Sequence, residues 1–419
     1  MNLAWLSLFA LFLVVAVGGF LPVNLGVLSI ALAFVVGVLI GDMKLSAVAA
    51  GFPSSLFLTL IGVTLFFSQA RANGTLERVS AAAVSLVRGH VGLVPVVFFA
   101  LALVFASIGP GNIAAVALLA PVAMQAAGRA GVPAFLMAIM ICTGANAGAL
   151  SPFAPTGVIA NGLMARIGLE GTEWNNYFNA LAAQSFVGFA GYLLFGGWRL
   201  LRAHDSALQA SADAQPLPPF TWQHKLTIAL ICALILSVLV FDLDVTIGAF
   251  VGAVILSLAR AADEKDALRG MPWSVVLMVC GVTVLIGVAD RTGGMELLTS
   301  LLSDLSTPQS VTAVIALVTG VISVYSSSSG VVLPAFLPTI PGLIEKLGGG
   351  DALAIASSIN VGAHLVDVSP LSTLGALCIA NAAAGVDRTR LFNQMLAWGL
   401  SMCVVGALVC WLFFGWLGG

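Results

Sequence analysis

Apolar residues along this chain come in long unbroken runs, and the runs recur from one end to the other. A helix needs about 20 residues to cross the hydrocarbon core of a bilayer. Runs of that order lie at roughly 3–21, 23–41, 53–70, 133–165 and 176–198, and again at 225–241, 244–260, 272–290, 351–385 and 391–416. Two more apolar segments, about 92–128 and 309–345, are each interrupted near the middle. The first breaks at Gly109-Pro110-Gly111-Asn112 and the second at Ser326-Ser327-Ser328-Ser329-Gly330. Each reads as two short legs around a tip, a hairpin that dips into the membrane and leaves on the same side. The pattern predicts an all-α polytopic membrane protein. One stretch differs. From Leu201 to His224, small, polar and proline residues replace the apolar run, which predicts a water-exposed linker.

The segments on either side of that linker repeat each other. FPSSLFLTLIGVTLFFSQARANGTLE begins at Phe52 and MPWSVVLMVCGVTVLIGVADRTGGME at Met271. An offset of 219 pairs Pro53 with Pro272, Ser55 with Ser274, Gly62-Val63-Thr64 with Gly281-Val282-Thr283, and Glu77 with Glu296. An offset of 218 then pairs Gly144-Ala145 with Gly362-Ala363, Ser151-Pro152 with Ser369-Pro370, and Gly157 with Gly375. The expected organisation is a first repeat over 1–200, a linker over 201–224 and a second repeat over 225–419. Five full spans and one hairpin per half would turn the second repeat upside down relative to the first.

The positions of the charges agree with that inversion. With the linker in the cytoplasm, only Lys44, Arg166, Arg291 and Lys346 of the 16 basic residues fall outside, as the positive-inside rule favours. Reading the hairpin legs as full spans would move Arg71, Arg78 and Arg88 outside. The expected location is the cell inner membrane, with both termini periplasmic. The run from Leu3 to Leu21 lacks a basic flank and a clear cleavage site, so it is expected to be a retained helix. Composition leads to the same class. The chain is 60% hydrophobic and 8% charged, with a mean hydropathy of +1.09, whereas a soluble domain carries about 25% charged residues. The six cysteines lie singly inside apolar runs and spell no zinc or disulfide framework. No nucleic-acid partner and no cofactor are expected.

Candidate chemistry concentrates at four interruptions, two per half. The tips are Gly111-Asn112-Ile113 and Ser328-Ser329-Gly330. The broken spans are Ser151-Pro152-Phe153-Ala154-Pro155-Thr156-Gly157 and Ser369-Pro370-Leu371-Ser372-Thr373-Leu374-Gly375. Proline removes a donor and glycine permits unusual dihedrals, so helices break there. Irregular backbone at membrane depth survives only inside protein or around a water-filled cavity, and inverted repeats with broken helices are a transporter architecture. Each break frees helix N-termini that suit anions and carbonyls that suit Na⁺. Substrate contacts are therefore expected from the two tips and from Thr156 and Thr373. Ser151, Gly157, Ser369 and Gly375 are expected around the coupling cation. His364 and Asp367, three apart, are expected to share a helical face as either a proton or cation site or a structural pair. Asn146 occupies the position of His364 in the first repeat, and Asn161 is expected to face the same cavity. Asp290 and Arg291 read as a solvated turn. No HExxH motif or nucleophile–base pair is present, so an enzyme is not expected.

At these residues the chain resembles the ion transporter superfamily, most of all the divalent-anion:sodium symporters and the MatC-type malonate/dicarboxylate carriers. In the symporters a Ser-Asn-Thr motif at each tip is followed by a proline ten residues after its serine. Here Pro121 lies ten after Gly111 and Pro338 ten after Ser328. Of the two triplets only Asn112 and Ser328 keep the family's residue type. The resemblance implies a small organic anion as substrate, of the C3–C4 dicarboxylate kind. It also implies Na⁺ or H⁺ coupling, an elevator-type mechanism and a homodimer in the lipid bilayer. A Na⁺/H⁺ antiporter, an inorganic-anion exporter and a TRAP-type large permease subunit are the alternatives within the same architecture.

Overall fold

Several helices here start where the sequence supplies a capping side chain. Asn24 accepts from the backbone of Gly26 and Val27, Asp244 from Thr246, Asp351 from Leu353 and Ala354, and Asp387 from Arg390. Each cap satisfies donors that a helix N-terminus leaves free. In a bilayer, where water cannot do so, that need is strict. The structure, a computed structural model, describes residues 2–20, 23–84, 91–201, 219–241 and 243–416. The linker residues 202–218 lie outside the described residues, as does Arg88.

Every regular element among the described residues is helical. Six helical stretches are long and apolar enough to cross a membrane: Ser54–Ala72, Gly111–Arg129, Trp273–Arg291, Ser328–Leu347, Ala352–Ala380 and Arg388–Trp416. Other apolar helices fill the remaining predicted runs, among them Leu3–Phe20, Ala134–Ala149, Glu173–Leu194, Trp222–Phe241 and Val245–Leu258. All four predicted interruptions are present. Helices stop at Ile108, Ala149 and Tyr325 and restart at Gly111, Pro155 and Ser328; after Leu365 a short 3₁₀ turn, Val366–Val368, precedes Thr373–Ala380. Helices that begin at Ser54, Thr75, Leu93, Ala134 and Pro155 have counterparts beginning at Trp273, Gly294, Val311, Ala352 and Thr373, each 218 or 219 residues on.

Contacts at the helix ends place the two hairpins. The Gly92 N–H, at the start of the first, donates to the Leu200 carbonyl (3.1 Å) beside the linker. Phe135, just after that hairpin, packs on Phe195 with ring centroids 4.8 Å apart. Both ends of the first hairpin therefore lie at the linker end of the bundle. The second hairpin meets the chain's C-terminal end instead. A Cβ on Gly415 would fall 2.7 Å from Thr312 Oγ1, at the start of its first leg. Residues just after its second leg, Asp351 and Leu353, line a surface pocket with Phe413 and Phe414. The same pocket includes Asn175 and Asn179. Their helix, Glu173–Leu194, runs from there to Tyr192, whose hydroxyl lies 2.9 Å from the Gly92 carbonyl. The second hairpin's ends are thus at the far end of the bundle.

Small residues set how closely these helices approach. Lipid tails are as apolar as the helices, so close packing replaces hydrophobic burial as the cohesive term. Cβ atoms on Gly144 and Gly362 would fall 2.4 Å from the Phe99 carbonyl and 2.6 Å from the Ala316 carbonyl, respectively. Each unbroken half of a broken span is therefore nested on the first leg of its own hairpin.

Candidate functional site

The first tip is a turn only glycine can make. Gly109 has φ +140° and Gly111 φ +79°, where a side chain is strained, and a Cβ on Gly109 would lie 1.7 Å from a Phe67 ring carbon. The turn delivers Asn112 into the interior. Its Nδ2 donates to Asn146 Oδ1 (2.8 Å), and Asn146 Nδ2 donates to the His364 carbonyl (2.9 Å). One amide chain thus joins the first tip, the first broken span and the second broken span. At the second tip, Ser327 Oγ accepts from the Gly330 N–H (3.1 Å). Ser328 Oγ donates to Asp367 Oδ1 (2.8 Å) and lies 2.7 Å from Ser323 Oγ. Ser372 Oγ donates to the Asp367 carbonyl.

The two breaks share one construction. A Cβ on Gly157 would fall 1.9 Å from the Ser151 carbonyl oxygen, and one on Gly375 2.1 Å from the Ser369 carbonyl oxygen. The first turn of each half-helix folds back onto the carbonyl that ends the preceding segment. Ser151 Oγ and Ser369 Oγ then accept from the N–H two residues on, of Phe153 and Leu371 (3.3 Å each). Among the described residues no three His, Cys, Asp or Glu side chains converge.

A cavity of about 190 Å³ opens beside the first tip. Its walls include Gly111, Asn112 and Ile113 from the tip, Thr156 from the first break, Ser329 from the second tip, and Arg71 from the end of Ser54–Ala72. Two helices, Gly111–Arg129 and Pro155–Arg166, begin at this wall, so the partial positive charge of their N-termini lies beside it, with the Ile113 N–H donating to Asn112 Oδ1 (3.0 Å). Its rim is at the linker end, since the Asn73 carbonyl lies 3.0 Å from His224 Nε2. A second cavity, of about 470 Å³, is lined by Thr283, Ile286, Gly287, Asp290 and Met295. These are the 219-residue counterparts of Thr64, Phe67, Ser68, Arg71 and Leu76, which line the first. Arg166 faces the second cavity too, and its rim is at the far end: Met295 on its wall opens the helix Gly294–Asp304, whose Ser300 Oγ accepts from Lys346 Nζ at the end of the second hairpin.

Comparison with known proteins supplies the class of the chain. The family model for the dicarboxylate carrier protein MatC N-terminus matches residues 1–149, and that for the Na⁺/H⁺ antiporter family matches residues 215–416. The chain is a membrane transporter. No curated protein sequence matches it significantly. Its fold is shared with the YdaH transporter of Alcanivorax borkumensis, whose structure is described as having an unusual topology. The two are 18% identical over 99% of each chain, with a TM-score of 0.58. MtrF of Neisseria gonorrhoeae, described within a class of antimetabolite efflux pumps, is 13% identical over 96% of this chain and 97% of its own, with a TM-score of 0.48.

Within the transporter, the expected site residues divide. Gly111, Asn112, Ile113, Thr156 and Ser329 come together on the first cavity. Ser328 does not: it is buried with its hydroxyl on Asp367. Gly330 is held under Met278, 2.2 Å from where its Cβ would be, and Thr373 is exposed at the start of its half-helix. Of the two readings for His364 and Asp367, a proton or cation site or a structural pair, the structure corrects the second. No hydrogen bond or ion pair joins them: His364 Nδ1 lies 2.7 Å from the Asn360 carbonyl, and Asp367 turns to Ser328. The α-helix ends at Leu365, and the 3₁₀ turn from Val366 to Val368 re-aims the carboxylate. Asn161 does not line the cavity either. It accepts from Asn176 (3.1 Å), which accepts from Asn360 (2.8 Å). Arg71 and Asp290, read from sequence as a cytoplasmic charge and a solvated turn, both line cavities. The signal that could have found them is the repeat offset itself, because residue 71 plus 219 is residue 290.

Proposed function

We propose that the transporter is a secondary active carrier of small organic anions, C3–C4 dicarboxylates such as malonate, malate or succinate, driven by Na⁺ or H⁺ across the cell inner membrane. The observation that carries this reading is the chemistry of the first cavity. Two helix N-termini, Asn112, Thr156 and Ser329 converge there, and among the described residues the only ionisable lining group is the Arg71 cation and no carboxylate lines it. Such a wall favours an anion of a few carbons. A dicarboxylate-carrier model over the first 149 residues points the same way. We further propose that the two halves are inverted repeats. Hairpins rooted at opposite ends, and two cavities lined by equivalent residues at those ends, support an elevator-type exchange in which tips and broken helices move together. Na⁺ would be held by carbonyl and hydroxyl oxygens around Ser151–Gly157 and Ser369–Gly375.

A second reading, cation/proton exchange, has one observation in its favour: a carboxylate, Asp367, is buried with Ser328 as its donor, in the half that the Na⁺/H⁺ antiporter family model covers. Uptake of labelled malonate and succinate into proteoliposomes, under Na⁺ and pH gradients imposed separately, tests the choice. The proposal expects accumulation of one of these anions under at least one gradient. Gradient-driven Na⁺ or H⁺ flux that needs no organic anion would replace it with the second reading.

A further inference from the structure

Among the described residues, Arg71 is the one ionisable side chain on the first cavity's wall. It is exposed, and its guanidinium has no hydrogen bond or ion pair with the described residues. An arginine at a span end commonly serves only topology, but such a residue has no reason to line the space where a hairpin tip, a broken span and the opposite tip meet. An unpaired guanidinium presents five donors in a fixed fork, the geometry that takes up a carboxylate. Low-dielectric walls also lengthen the reach of its field into the cavity. The counterpart position in the second repeat holds the opposite charge. Asp290 stands where Arg71 would be, and the far cavity holds a cation, Arg166, contributed by another helix. The two routes therefore differ in their potential although they share their framework.

We propose that Arg71 is the anion-selecting residue of the transporter and that it acts only through the cavity at the linker end. This rests on the reading of that cavity as the substrate path, and it adds a consequence: anions are drawn in more strongly from the linker end than from the far end.

The test separates the local field from the identity of the substrate. In a background with the exposed Cys232 replaced by serine, Ile113→Cys reports on the first cavity and Gly287→Cys on the second. Each is reacted with an anionic and a cationic methanethiosulfonate of the same size, and the ratio of the two rates is recorded. Moving from Arg71 to Gln to Glu should lower the anion-to-cation ratio at position 113 by about threefold to tenfold per step, from one charge within a few ångströms of a partly screened site. Arg71→Lys should restore most of it, and the ratio at position 287 should not move. An unchanged ratio at position 113 overturns the proposal, and so does an equal fall at both positions, which would mean a diffuse surface charge. In a parallel arm, succinate uptake by oriented proteoliposomes should show a KM raised about tenfold or more in Arg71→Gln, from the linker end alone. Wild-type protein that carries neither succinate nor malonate would sink the dicarboxylate reading, and the reagent ratios would still decide the role of Arg71.

Discussion

Replacing Ser328 by alanine is the perturbation whose outcome the structure defines most sharply. The sequence places this serine among the expected substrate contacts, whereas the geometry puts its hydroxyl on Asp367 Oδ1 at 2.8 Å, with the two residues only 6% and 7% exposed. A hydrogen bond to a charged group contributes about 1.5–3 kcal/mol. Coupling energies between hydrogen-bonded residues inside membrane proteins average only about 0.6 kcal/mol, because the membrane-embedded unfolded chain also finds partners. A net coupling of about 1–2 kcal/mol follows, or roughly five- to thirtyfold in the unfolding constant. The assay is a double-mutant cycle of Ser328→Ala, Asp367→Asn and the double variant, followed by detergent-induced unfolding of the purified protein in mixed micelles. The second substitution should cost less once the first is made, by that coupling energy. Effects that add to within about 0.5 kcal/mol, together with a KM change confined to Ser328→Ala, would mean that the serine touches substrate and that the Asp367 bond is incidental.

Four further outcomes are expected. Gly157→Ala and Gly375→Ala should abolish transport and strongly reduce folded protein in fluorescence-detected size exclusion, because each Cβ would lie within about 2 Å of a backbone carbonyl; Gly162→Ala, whose Cβ would sit 3.6 Å from a Leu56 methyl, should be tolerated. Asn112→Ala unlinks the first tip from Asn146 and removes a cavity-lining amide, so substrate affinity measured by uptake should fall by about 1–3 kcal/mol with little loss of expression. Asp367→Asn, assayed under a Na⁺ gradient alone, should lose stability and keep accumulation if Na⁺ couples through carbonyls; lost accumulation in folded protein would place Asp367 in the coupling. Cysteine introduced at Ser211 in the linker should be labelled from the cytoplasm, and at Gly349, after the second hairpin, from the periplasm.

The elements were legible because the membrane leaves so few options. Apolar runs near 20 residues, a proline or glycine inside them and a recurring offset were enough to locate the apolar helices and all four breaks, since backbone groups in lipid must be satisfied by helices. The roles of individual side chains were less legible. Ser328 and Ser329 are chemically identical neighbours at one tip, and only the path of the chain sends one hydroxyl down to Asp367 and the other to the cavity. His364 and Asp367 are spaced to share a helical face, but the helix tightens to 3₁₀ between them, and that change leaves no mark in residue type. Arg71 was counted as a topology charge because span ends are where arginines usually sit; its place on the cavity follows from how Ser54–Ala72 packs beside the first tip, a long-range fact that periodicity does not encode.

The central claim is that a small organic anion binds between the first tip and the first break. A structure of the purified protein in lipid nanodiscs, determined by electron cryomicroscopy with saturating malonate or succinate, tests it most directly. The account predicts added density bounded by Asn112, Ile113, Thr156 and Ser329, within reach of Arg71 in the conformation open at the linker end. Density for the anion elsewhere, with that cavity unchanged between samples with and without the anion, would contradict it.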